Sequence, residues 1–356
     1  TAGSPFYNLT FDSGDTTGGW TLQDALTATN LTVTDGTLID NAKTVTVNGN
    51  ISIANTSDIL TSTGTWIQGA SGNIANPQYS NRFKSLTLGG SGIISTLTGN
   101  VDTEALTSTG GTITGAYELN LYATAVNFLS VSGNPTFDFY RIGVLNNSSA
   151  NSLAGIQFTG ALNAIYLWGS DITMTGNINI PCRVLMYTGT LSMGSNSLTA
   201  SGILFASVSG PGPKIDLGSG THTIGSDGII PATDAYGQID FNTSNTSIAG
   251  SVDFSNIIVT PGTSTVILDA TGGNRTLDAN GKTLNNVTFQ NTGSTDRTII
   301  FGSGTITFAG NFTLLVTGSN NLTIDAATNN PNITINGNLS VSTTQDSNLA
   351  TSATAS

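Results

Sequence analysis

Apolar and polar residues alternate with a period of two along most of this 356-residue chain, in short runs set apart by Gly, Asn, Asp, Ser and Pro. That alternation places successive side chains on opposite faces of an extended backbone, so the runs read as strands. They are Leu31–Val33, Thr44–Val47, Ser85–Leu88, Glu118–Tyr122, Thr136–Ile142, Ala164–Leu167, Arg183–Tyr187, Ile203–Ala206, Gln238–Phe241, Ser255–Val259, Thr265–Leu268, Arg297–Phe301 and Thr305–Phe308. The one stretch with any helical spacing, 150–161, is interrupted by Gly155 and Thr159.

A motif punctuates the alternation: an apolar residue, a spacer, Gly-Asn or Gly-Ser, then apolar-polar-apolar. It begins at Val47, Leu97, Met174, Ile248, Phe308 and Ile335, at offsets of 50, 77, 74, 60 and 27. All offsets except 60 fall near multiples of about 25, the size of one coil in a stacked repeat. Glycine supplies the turn dihedrals cheaply, and the alternating triplet supplies a short strand. Ile51, Val101, Ile178, Val252, Phe312 and Leu339 are then expected to face inward. A longer echo links Thr37–Val45 to Thr276–Leu284, offset by one residue inside the turn. The predicted fold is all-β, a right-handed parallel β-helix (β-solenoid), with an antiparallel β-sandwich array as the alternative. Residues 1–11 are expected as an N-terminal connecting strand and 12–341 as the solenoid, with an irregular junction at 127–165. A polar tail, 342–356, follows.

Composition narrows the function. Only 8% of residues are charged, against roughly 25% in ordinary soluble domains. Thr and Ser number 96, Gly 43 and Asn 37, so hydroxyls and amides rather than charges would solvate the strands. The net charge is −12 with the nine basic residues scattered, which argues against nucleic-acid binding. No run of 18 apolar residues occurs, which argues against membrane insertion. The single cysteine, Cys182, lies among apolar neighbours and reads as a buried thiol. The chain opens on Thr1 without a signal peptide, the pattern of a processed, exported product at the cell surface.

Candidate chemistry is sparse. The closest acidic groupings are Asp12/Asp15, Asp102/Glu104 and Asp234/Asp240; Asp102 and Glu104 have strand spacing and would share one exposed face. His222 is the only histidine and reads as outward-facing. Asp12, Asp15, Asp35 and Asp269 sit in turns that could offer oxygens to calcium, although no calcium-loop motif is present. Trp20, Trp66 and Trp168 are far apart and read as core or capping residues, Trp20 as a cover for the first coil. Fourteen Asn-x-Ser/Thr sequons (Asn8, Asn30, Asn50, Asn55, Asn146, Asn147, Asn242, Asn245, Asn274, Asn286, Asn311, Asn321, Asn332 and Asn338) barely exceed what the composition generates by chance.

The stretches Phe6–Phe11, Trp20–Leu26 and Asn30–Val33 resemble repeats of large secreted prokaryotic and phage surface proteins, among them haemagglutinin-type adhesin β-helices. The resemblance implies a rod-like exported surface protein and no catalytic residue. The expectation is a non-enzymatic, cofactor-free structural subunit that joins copies of itself head to tail into a filament, sheath or surface layer. Phe6, Tyr7, Leu9 and Phe11 of the first strand would make the contact. The alternatives are a glycan-binding adhesin or tail-fibre segment and a carbohydrate-active β-helix enzyme. A lateral stripe of Tyr, Trp and Asp would favour binding, and a convergent acid trio would favour the enzyme.

Overall fold

The computed structural model describes residues 5–15, 17–54, 56, 59–76, 79–122, 129–147, 157–158, 164–207, 212–317 and 320–343. The chain divides into two compact units, Thr1–Asp171 and Ile172–Ser356. Among the described residues there is no α-helix; a three-residue 3-10 turn, Tyr79–Asn81, is the whole helical content. Both units are β-solenoids. Every strand pairs in parallel with the strand one coil away, and the one antiparallel contact among these residues is an isolated bridge, Ser207 to Tyr236. Parallel pairing requires a return path between partners, and here the rest of the coil supplies it.

Register makes the core a set of vertical columns. In the second unit one inward column runs His222, Thr246, Val266, Val287, Phe312, Leu339. A second runs Ile180, Ala200, Ile224, Ile248, Leu268, Phe289, Leu314, Val341. In the first unit Leu9, Leu31, Ile51 and Ile74 stack likewise, with Phe11, Val33 and Ile53 beside them. Each rung lies about 4.8 Å from the next, so an inward side chain within the stack is packed from above and below. Ile51, Val101, Ile178, Val252 and Phe312 are accordingly buried. Leu339 is not: it is 53% exposed, because it heads its column and no described residue stacks on it.

The Gly-Asn motif is a clamp between coils. In five of the six copies the motif's side-chain oxygen accepts a backbone N–H from the following coil: Asn50 from Asn73 (2.8 Å), Asn100 from Glu118 (3.2 Å) and Asn177 from Ser197 (2.8 Å). Ser251 accepts from Thr276 (3.1 Å) and Asn311 from Asn338 (3.0 Å) in the same way. At the bend the ladder is interrupted, and the side chain pairs a donor that would otherwise be orphaned. The glycine does not serve through its dihedrals, as none of the motif glycines has positive φ. What it provides is clearance: a Cβ on Gly49 would stand 2.7 Å from the Thr29 carbonyl oxygen of the coil below.

The long echo is also real at backbone level. Asn41 and Ala42 take consecutive left-handed conformations (φ 51° and 59°), and so do Asn280 and Gly281 (φ 38° and 82°). The first of these turns carries a buried carboxylate. Asp40 accepts from Thr63 N–H, Gly64 N–H and the Trp66 indole at 2.9, 2.9 and 3.0 Å, tying two coils together.

Candidate functional site

Two features stand out from the Thr/Asn/Ser surface: the open rungs at the ends of the described chain, and one lateral sheet of the first unit.

The strand Phe6–Phe11 is the first described rung of the solenoid. It pairs in register with the next coil, Asn8 opposite Asn30, Leu9 opposite Leu31 and Phe11 opposite Val33. Phe6 and Tyr7 are exposed, while Leu9 and Phe11 are half-buried beneath their columns, Phe11 lying 5.3 Å from the half-buried Trp20 ring. The last described strand, Leu339–Thr343, pairs with Phe312–Val316 on one side, leaving Leu339 and Val341 53% and 54% exposed. The two open rungs share one pattern: Asn8-Leu9-Thr10-Phe11 and Asn338-Leu339-Ser340-Val341.

The lateral face is built from three outward columns. Asp102, Asn120, Gly143 and Tyr166 pair in sequence along one; Glu118, Arg141 and Ala164 along the next; Tyr122, Leu145 and Trp168 along the third. Phe83 bridges Thr103, so Arg82 and Lys84 flank the same rung as Asp102 and Glu104. Glu104 accepts from Arg82 (2.8 Å) and Lys84 (2.5 Å), and Glu118 from Arg141 (3.0 Å). The Arg141 guanidinium lies over both the Tyr140 and Tyr166 rings, 4.6 and 4.8 Å from their centroids, and donates to the Tyr140 hydroxyl. Arg82 lies over Tyr122 at 5.9 Å. Tyr117, Tyr140 and Trp168 remain 44%, 36% and 54% exposed.

Asp102 and Glu104 do share this face, but not as two exposed charges on a strand edge. Asp102 is 3% exposed, and its Oδ1 accepts from Asn120 Nδ2 at 2.9 Å. Burial pushes its carboxyl up to about 6, with the Glu118 charge adding to the effect; the Asn120 hydrogen bond and Arg82 oppose it. A third acid, Glu118, joins the face from the next coil. Asp234 and Asp240 do not form a pair of this kind: Asp234 sits in a turn at φ 59°, and Asp240 is ion-paired with Lys214.

The remaining candidates have structural explanations. His222 is fully buried, not outward. Its strand phase is set by Ile224, two residues on and also inward, and the ring is fixed by Leu198 N–H donating to Nδ1 (3.1 Å) and Nε2–H donating to the Leu217 carbonyl (2.8 Å). Burial holds its pKa below the usual histidine value. Cys182 is buried. Trp66 is core and Trp20 half-buried, whereas Trp168 departs from the core-or-cap expectation by standing exposed. Asp12, Asp15, Asp35 and Asp269 each accept from a backbone N–H of their own turn, from Gly14, Thr17, Gly36 and Thr271. Among the described residues no group of three acidic, His or Cys side chains is arranged to hold a metal.

Several sequon asparagines are clamp residues: Asn30 and Asn286 accept from Asn50 and Asn311 as the motif asparagines do, and Asn274 accepts from Thr298 N–H. Asn242 donates to Asp216 from a left-handed turn, and Asn321 is tied to Asp296. Asn8, Asn245, Asn332 and Asn338 are exposed. Asn55 and the side chains of Asn146 and Asn147 lie outside the described residues.

Neither a family model, nor a curated protein, nor a solved structure matches this chain.

Proposed function

We propose that this chain is an exported structural subunit whose solenoid stacks end to end on copies of itself, building a filament, sheath or surface layer. The observation that carries the reading is the match between the two open rungs. Asn338-Leu339-Ser340-Val341 repeats the alternation of Asn8-Leu9-Thr10-Phe11, and each strand pairs in parallel with a neighbouring coil of its own unit. Placing one on the other in the register used inside each unit sets Leu339 against Leu9 and Val341 against Phe11. It also offers the Asn338 side-chain oxygen to the Asn8 N–H, as Asn30 offers its own to Asn50. Backbone pairing gives direction, the two apolar contacts remove exposed surface from water, and the low charge density keeps repulsion between copies small.

The test is electron microscopy and sedimentation of the purified chain beside a Leu339→Asp/Val341→Asp variant. End-to-end polymers are expected from the native chain and dispersed, folded subunits from the variant and from a chain lacking residues 1–11. Polymers from the variant indistinguishable from native, or a native chain that stays dispersed at high concentration, sink the reading.

A further inference from the structure

The lateral sheet of the first unit is a separate surface with its own chemistry. Elsewhere the outward positions are mostly Thr, Ser and Asn; here three of the eight tyrosines, one of the three tryptophans and three of the nine basic residues come together. We propose that this face binds a neutral polysaccharide chain, laid along the strands between Tyr140 at one side and Trp168 at the other.

Three observations lead to that ligand. First, the partly exposed Tyr140 ring, covered on one face by Arg141, and the exposed Trp168 ring give each margin an apolar surface of the kind on which the C–H faces of pyranose rings stack. Tyr140 lies five residues before Leu145, which pairs with Trp168, so the two rings are held apart along the strand direction. Second, the ground between the rings is lined by groups of both hydrogen-bonding senses. Glu104 and Glu118 accept, Arg82 and Arg141 donate, and their mutual ion pairs hold them in place before any ligand arrives. Vicinal hydroxyls donate and accept together, and such a mixed set suits them. Third, the charges cancel: three basic groups face three acids, within a chain of net charge −12. A polyanion would find no uncompensated positive charge to bind here, whereas a neutral glycan needs none.

Asp102 has a further part. Its carboxyl is buried and accepts from Asn120, so it braces the ground beneath the face from one coil to the next. Arg141 is braced between two rings and Glu118, which positions Tyr140 through its hydroxyl.

The experiment is affinity electrophoresis of the native chain through gels containing dextran, laminarin, galactomannan or hydroxyethyl cellulose, with alginate as the polyanion. Retardation by at least one neutral polymer is expected. Trp168→Ala and Tyr140→Ala, each checked for an unchanged circular-dichroism spectrum and melting temperature, should weaken it at least tenfold. Ile258→Ala, an exposed apolar position in the other unit, should leave it unchanged. No retardation by any neutral polymer, retardation by alginate alone, or native-like binding by both aromatic variants overturns the proposal. Because these substitutions lie away from both open rungs, the electron-microscopy test of end-to-end stacking is scored independently of this one.

Discussion

Replacing Asp102 by Asn should stabilise the protein at neutral pH and leave it little changed in acid. Asp102 is 3% exposed and its carboxyl is raised from 3.8 to about 6, chiefly by burial. Between about pH 4 and pH 6 the folded chain therefore keeps a proton there that the unfolded chain has released. Stability falls as pH rises through that window, and the whole penalty is in place above it. A shift of roughly two units, at about 1.4 kcal/mol per unit, makes that penalty about 3 kcal/mol. Asn keeps the shape and can still accept from Asn120, but it cannot ionise. The assay is urea unfolding from pH 3.5 to 8 for native chain and variant, read by tryptophan fluorescence. All three tryptophans lie in the unit that holds Asp102, so the signal reports on that unit. Taking the difference between the two proteins cancels the other titrating groups. The gap should grow by about 3 kcal/mol in the variant's favour between pH 4 and pH 7. A gap that stays flat across the range, or that widens toward acid, would show that Asp102 is not held protonated by its surroundings.

Two further outcomes are expected. His222 is the chain's one histidine, so its ring gives a single titrating signal by NMR; with its folded pKa below the unfolded value, its stabilising contribution is complete above about pH 6.5 and is lost as pH falls. The ring should stay neutral, with the proton on Nε2, below pH 6.5, and a midpoint at or above that value refutes the buried-neutral assignment. Ala42→Gly should stabilise the first unit by about 0.5–1 kcal/mol, the cost of a Cβ at φ 59° less the extra backbone entropy of Gly; a loss of stability in urea unfolding would show that the left-handed turn is not strained.

How far the fold could be read from the chain differs from element to element. Thr44–Val47, Arg297–Phe301 and Thr305–Phe308 are strands at the bounds their alternation predicts, since a period of two survives whatever the neighbouring coil contains. The Gly-Asn motif was visible as a turn, but its purpose was not. The Asn oxygen reaches a backbone donor some 20 residues on, and the glycine makes room for a carbonyl of the preceding coil. His222 faces inward although Thr-His-Thr alternates equally well in either phase; Ile224 and the column above it decide which phase is inward.

The lateral site shows the same division more sharply. Asp102 and Glu104 were legible as a pair because they lie two residues apart on one strand. Nothing local links them to Arg82, Asn120, Arg141 or Tyr166, which arrive from other coils. Coil length varies, with Leu31 opposite Ile51, Ile51 opposite Ile74 and Leu314 opposite Val341, so no fixed period predicts which outward residues become neighbours. Hydrophobic alternation by itself determined that this chain would be strands with a buried side and a hydroxyl-rich side, because that follows from backbone geometry residue by residue. Which polar groups meet, which carboxylate loses its water and which aromatic ring is left exposed depend on how many residues each coil spends before returning. That stacking register exists only once the coils are packed.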